Sequence, residues 1–158
     1  MNLHEYQAKE LLRKYEIQTP FGQIAETLNE VNALAKNIKN PVVLKAQIHA
    51  GGRGKSGGVK VVTSKDEALE FASNLLGKNL VTYQNQPSGQ PVHKILFEET
   101  ENITNELYFS ILIDREKEKV CLVVSSAGGM EIEEISKKNP DLILKEFCNP
   151  ITGLMDYQ

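Results

Sequence analysis

The sequence predicts an α+β fold, and three observations carry that prediction. Segments with helical apolar spacing alternate with short runs rich in β-branched residues. Ser, Thr or Asn followed three positions later by Glu recurs just before the helical segments. A glycine-rich stretch, HAGGRGKSGG at 49–58, sits between two strand-like runs.

The elements follow in order. HEYQAKELLRKY reads as a helix, with Asn2 and Glu5 at capping-box spacing and Tyr6, Leu11, Leu12 and Tyr15 on an apolar face. Thr19-Pro20 breaks it, and FGQIAE reads as a short strand. Thr27 and Glu30 cap a second helix carrying Val31, Leu34, Ala35 and Ile38, with Pro41 beyond its end. PVVLKAQI and VKVVT are strands on either side of the glycine loop. Ser64 and Glu67 open a third helix through Ala68, Phe71, Ala72, Leu75 and Leu76, and Gly77 suits the position just past its end.

LVTYQ is read as a strand, NQPSGQPV as a loop and KILFEE as a strand. ELYFSILID and VCLVVSS, joined by REKEK, form a hairpin. GGMEIEEISKK is a helix stopped by Pro140, LILKEF a last strand and CNPITGLMDYQ a loop. GLMDYQ caps no helix and closes no strand, so the chain is expected to be a piece of something longer.

The 158 residues suffice for one domain or two small lobes. A hydrophobic content of 41% and a charged content of 25% describe an ordinary soluble globular chain. The net charge of −3 argues against a general nucleic-acid binder. No apolar run approaches the roughly 18 residues of a membrane span. MNLHEYQAKELL lacks the basic and apolar regions of a signal peptide, and no transit peptide is seen. Cys121 and Cys148 read as buried free thiols in a reducing compartment. Cys and His show no metal-ligand spacing.

Charge is spread unevenly. Residues 31–65 contain no Asp or Glu but hold Lys36, Lys39, Lys45, Arg53, Lys55, Lys60 and Lys65. A local positive field around flexible backbone suits an anionic ligand, and a solvated face is the simpler alternative. The tail Gly54-Lys55-Ser56 imitates a P-loop, but the first glycine of that motif would fall at His49. A P-loop also leads into a helix, whereas a strand follows here. Gly52 to Gly57 match the kinase glycine pattern in letters, yet no catalytic-loop or metal-binding signature follows. Strand, glycine loop, strand is instead a flap whose backbone N–H groups can fold over a triphosphate.

Lys45, on the strand before the loop, is either an edge lysine facing water or an ammonium aimed at the α and β phosphates. Arg53, at the loop tip, reaches for a more distal phosphate. Glu98, at a strand end, and Glu106, opening the hairpin, can accept from ribose hydroxyls or a base amine; each alone also reads as a solvated acid.

MNLHEYQAKELL, KAQIHAGGRGKSGGVKVV, LGKNLVTYQ, GQPV, ELYFSILIDR and GGMEIE together resemble the N-terminal part of the succinyl-CoA synthetase beta-subunit family, ADP-forming type. The resemblance runs in order along essentially the whole chain. It implies the N-terminal part of an ATP-grasp fold, in which two α+β lobes hold ATP between their sheets. It implies a small nucleotide-binding lobe at 20–99 with its flap at 49–58, and places 1–19 and 100–158 in the adjoining lobe. By position, Lys45 matches the phosphate lysine, and Gly52, Arg53 and Gly54 match the flap contacts. Glu98 and Glu106 match the family's two nucleotide-site acids, and Glu101 a position that contacts nucleotide through its backbone.

The resemblance further implies ATP with Mg²⁺, whose Asn and Asp ligands would lie beyond residue 158, as would the rest of the grasp and the C-terminal CoA-ligase domain. The implied partner is the alpha subunit, whose His carries the phosphoryl group between ATP and succinate before CoA displaces phosphate. His4, His49 and His93 therefore receive no catalytic role, and His49 is read as a strand-end or loop-positioning residue. The chain alone is expected to be inactive, and a cytoplasmic location is expected, or the mitochondrial matrix in a eukaryote. The alternatives are a related ligase such as malate-CoA ligase, or a truncated interaction module without catalysis.

Overall fold

The computed structural model describes residues 2–36, 38–129 and 132–158. The chain divides into two compact units, 1–101 and 102–158.

The first unit is built on a four-stranded antiparallel sheet. Its strands are β1 (Gly22–Ala25), β2 (Val42–Ala46), β3 (Val59–Val62) and β6 (Ile95–Glu99), in the spatial order β1-β6-β2-β3. A separate short ribbon pairs β4 (Asn79–Leu80) with β5 (Gln90–Pro91). Strand alternation gives the main sheet two unlike faces. Ala25, Leu44, Ala46, Val62, Ile95 and Phe97 lie on one face. They form a single core with Val31 and Ala35 of α2 (Leu28–Ala35) and Ala68, Phe71 and Ala72 of α3 (Lys65–Leu75). The opposite face carries Lys45 and Glu98, to which α1 (Glu5–Lys14) is tied by ion pairs rather than by apolar burial.

The helix starts follow local chemistry. The Thr27 hydroxyl accepts from the Glu30 N–H at 3.2 Å, and the Glu30 carboxylate returns the bond to the Thr27 N–H. The Ser64 hydroxyl accepts from the Glu67 N–H at 3.3 Å, while the Glu67 carboxylate reaches one residue further back to the Thr63 N–H at 2.7 Å. Helix α1 begins differently from the Asn2–Glu5 expectation. His4 is its N-cap, and the His4 N–H donates to Gln7 Oε1 at 2.9 Å. Glu5 is thereby released from capping and points to the sheet instead.

Two further expectations are corrected. LVTYQ is strand only at Leu80; the Thr82 N–H bonds to Asn85 Oδ1 at 2.9 Å, turning the chain away from the ribbon. Residues 1–19 group with the first unit rather than with the residues after 100, because Glu5, Tyr6 and Lys9 bond to Lys45, Gln47 and Glu98.

The second unit holds a three-stranded antiparallel sheet, β7 (Tyr108–Asp114), β8 (Lys119–Ser125) and β9 (Ile143–Cys148). The expected hairpin is its first pair. Asp114 Oδ1 accepts from the Glu116 and Lys117 N–H groups and shapes the turn. Helix α4 spans Ile132–Lys138; Met130 and Glu131 of the expected helix lie outside the described residues. Both cysteines are free, Cys121 buried and Cys148 partly so. No helix among the described residues is long and apolar enough to cross a membrane.

Candidate functional site

Three elements of the first unit converge on one charged network. Strand β2 presents Lys45, β6 presents Glu98, and the first turns of α1 present Glu5 and Lys9 at i,i+4 spacing. Glu98 pairs in register with Val43 and Lys45 with Leu96, so the two charges sit diagonally on the same sheet face. The Glu98 carboxylate is 3% exposed and accepts from both Lys9 and Lys45. Those two bonds satisfy a charge that would otherwise be costly to bury.

Glu5 joins this pair to the glycine loop. Its Oε1 lies 2.9 Å from Lys9 Nζ and 3.1 Å from Lys45 Nζ. Its Oε2 accepts from Arg53 Nη2 at 2.6 Å, and Arg53 Nη1 donates to the Ala46 carbonyl at 2.8 Å. Arg53 therefore folds back from the loop onto β2. Burial pushes the Glu5 carboxyl up, but the hydrogen bonds from Arg53 and Lys9 outweigh it and hold the group at about 2. Burial likewise pushes Lys45 down, and the bonds to Glu98 and Glu5 outweigh it, so its ammonium is held above the usual lysine value. Three cations face two carboxylates, leaving a local positive excess.

The loop is an ordered turn rather than a slack tether. The Ser56 and Gly58 N–H groups donate to the Arg53 carbonyl at 3.2 and 2.7 Å. The Gly51 N–H donates to Gln84 Oε1 at 2.8 Å. Gly52 has φ +74°, and a side-chain carbon there would lie 2.3 Å from the Tyr83 ring, so any other residue would be strained and would have to displace the ring. Gly54, at the tip, has open space around it. His49 holds the loop base: its backbone exchanges bonds with the Gln90 amide, and its ring stacks on His4 at 3.9 Å.

The expected residues are thus distributed unevenly. Lys45, Arg53 and Glu98 belong to one network, and Gly52 and Gly54 to the loop beside it. Glu98 also lines an open cleft of about 590 Å³ with Glu101, Phe21, Pro41, Val42 and Phe97. Glu106 lies in the second unit, where its carbonyl accepts from the Gly128 N–H at 3.0 Å. Sequence reading missed Glu5, Lys9, Phe21 and Tyr83. The i,i+4 spacing of Glu5 and Lys9 was a visible signal of a pair, but not of its partners. Among the described residues no group of three or more His, Cys, Asp or Glu is placed to hold a metal ion.

The family model of the ATP-grasp domain matches residues 2–158. The beta subunit of the ADP-forming succinate–CoA ligase of Methylobacillus flagellatus is 57% identical over the whole chain. The chain covers only 41% of that relative's length, its N-terminal part. Among solved structures, the dinucleotide-forming acetyl-coenzyme A synthetase 1 of Ca. Korarchaeum cryptofilum, in complex with coenzyme A, Ca-AMPCP and HgCl⁺, superposes with a TM-score of 0.62. It is 20% identical and matches 92% of this chain and 59% of that one. The ATP citrate lyase of Methanosaeta concilii gives the same TM-score at 18% identity, over 96% of this chain and 34% of that one. These likenesses are likenesses of fold. The chain belongs to the ATP-grasp domain family.

Proposed function

We propose that this chain is the N-terminal nucleotide-binding part of a succinate–CoA ligase beta subunit, and that it holds the phosphates of ATP with Lys45 and Arg53. One observation carries the reading: Lys45 on β2 and Arg53 on the glycine loop both reach a single anion, the Glu5 carboxylate, at 3.1 and 2.6 Å. Two cations converging on one acidic group form a site into which a phosphate fits. The 57% identity to an ADP-forming succinate–CoA ligase beta subunit supplies the reaction class.

In this reading Lys45 and Arg53 neutralise and position the phosphates, and the loop amides near Gly54 close over them. Phosphoryl transfer asks the protein mainly for such positioning and charge. The cleft beside Glu98 and Glu101 takes the nucleoside, against Phe21. Mg²⁺ would supply charge neutralisation at the phosphates; among the described residues no group of three or more His, Cys, Asp or Glu is placed to hold it. The complete cytoplasmic enzyme would pair with an alpha subunit bearing the phosphorylated His and would use succinate and CoA. Glu106 belongs to the proposed nucleotide contacts through the family match alone.

The test is a calorimetric titration of ATP, then GTP, into the 158-residue chain and its Arg53→Ala variant. Binding that falls in the variant supports the reading. Equal binding by both proteins removes Arg53 from the site. Phe21→Ala should weaken ATP while leaving inorganic tripolyphosphate unaffected; equal losses would move the nucleoside out of the cleft.

A further inference from the structure

We propose that the Glu5 carboxylate stands where a phosphate group of the nucleotide goes, and that its displacement from Arg53 and Lys45 sets the affinity of the site. The proposal rests on the nucleotide reading above and gives Glu5, there only the anion that Lys45 and Arg53 share, a role of its own.

Glu5 spends one oxygen on Lys9 and Lys45 and the other on Arg53, at 2.6–3.1 Å. Carboxylate and phosphoryl oxygens are acceptors of the same kind for ammonium and guanidinium groups. Lys45 and Arg53 therefore cannot turn fully to a phosphate while Glu5 holds both. One of the two acids must yield, and their settings decide which. Glu98 is 3% exposed and fixed between two lysines on a central strand. Glu5 is 21% exposed, on the first turn of a helix with no buried residue. Its flexible side chain can swing into water, where an ionised carboxylate is well solvated.

Charge points the same way. With Glu5 in place, Lys9, Lys45 and Arg53 face two carboxylates; with it withdrawn they face Glu98 alone, and the surplus positive charge matches a polyphosphate better. Arg53 keeps its bond to the Ala46 carbonyl in either case, so the guanidinium stays aimed. Glu5 also ties α1 to the loop, so its release should loosen residues 51–58 before the ligand orders them.

The test uses the whole chain and three probes: inorganic tripolyphosphate, ATP and adenosine. Glu5→Gln should bind tripolyphosphate and ATP about tenfold tighter than the parent chain, the scale of one competing charge-assisted contact. Adenosine affinity should be unchanged. In the unliganded variant the amides of 51–58 should exchange faster with solvent. Glu5→Asp, too short to reach all three cations, should fall between the two, and it keeps the test open if the glutamine variant does not fold. Equal or weaker tripolyphosphate binding by Glu5→Gln, including no uptake by either protein, overturns the proposal. Failure of the nucleotide reading looks different: Lys45→Ala would bind ATP as well as the parent, whatever Glu5→Gln does.

Discussion

The ammonium of Lys45 donates to the carboxylate of Glu98 across two neighbouring strands, two residues off direct register. The bond crosses 53 residues of sequence and buries an acid whose ion-pair partners among the described residues are Lys9 and Lys45. Replacing that acid leaves two ammonium groups facing each other beside the sheet, with Glu5 as their remaining counter-charge. Glu98→Gln is expected to destabilise the first unit by about 2–3 kcal/mol. Urea unfolding followed by far-UV circular dichroism measures this. A loss below about 0.5 kcal/mol, the range of an inert surface substitution, would show that the pair is structurally idle.

Lys45→Ala should weaken ATP binding by roughly 1.5–3 kcal/mol, the worth of a charge-assisted hydrogen bond. The truncation leaves Glu98 paired with Lys9, so the fold should survive better than in Glu98→Gln. Calorimetry on both variants separates the two effects. Unchanged ATP affinity in a folded Lys45→Ala chain would take Lys45 out of the site.

How much of this was legible in the sequence depends on range. Elements governed by near neighbours were readable: Thr27 and Glu30 announce α2, and the β-branched runs around Lys45 and Val59 announce the strands flanking the loop. Strand character was over-read at 81–84, where Asn85 turns the backbone and the loop recruits Tyr83 and Gln84. The candidate site was half legible. Lys45 and Arg53 stand out as cations in an acid-free stretch. Their actual partners are 40, 48 and 53 residues away, and no local pattern identifies them. The first helix misled for the same reason: Glu5 at capping spacing from Asn2 is claimed by tertiary partners, while His4 takes the cap.

Acid should probe Glu5 directly. Its folded value of about 2 lies below the unfolded 4.5, so its stabilisation is present above 4.5 and is lost as pH falls toward 2. The gap corresponds to about 3 kcal/mol. Unfolding free energies of the parent chain measured from pH 6 down should drop across that window, and Glu5→Gln should flatten the drop. Parallel curves for the two proteins would mean that other carboxylates govern the acid response.

Gly52→Ala meets two obstacles together. The residue holds φ +74°, and the added carbon would collide with the Tyr83 ring at 2.3 Å. The left-handed conformation alone costs an alanine about 1–2 kcal/mol, and the ring must move as well. Since Gly51 is bonded to Gln84 next door, the shift should pass along the loop. The expected result is a loss of about 2 kcal/mol in stability together with weaker tripolyphosphate binding. Gly54→Ala, in open space, should change stability far less. Equal stability losses at the two glycines would mean that the loop in solution does not pack on Tyr83.

His4 gives the last prediction. Its ring stacks on His49 with 13° between the planes, and its Nδ1 is buried and finds no hydrogen-bond partner among the described residues. Burial lowers its affinity for a proton, and the neighbouring His49, Lys94, Arg53 and His93 lower it further. The sign is that of a base kept neutral: its contribution is present above the ordinary 6.5 and is lost as pH falls from there toward the depressed folded value. The melting temperature should therefore decline between pH 8 and 5.5. Part of that decline should vanish in His4→Asn, which keeps a side chain able to cap a helix while removing the titrating ring. A decline of the same size in both proteins would show that protonation of His4 is not what loosens the base of the glycine loop.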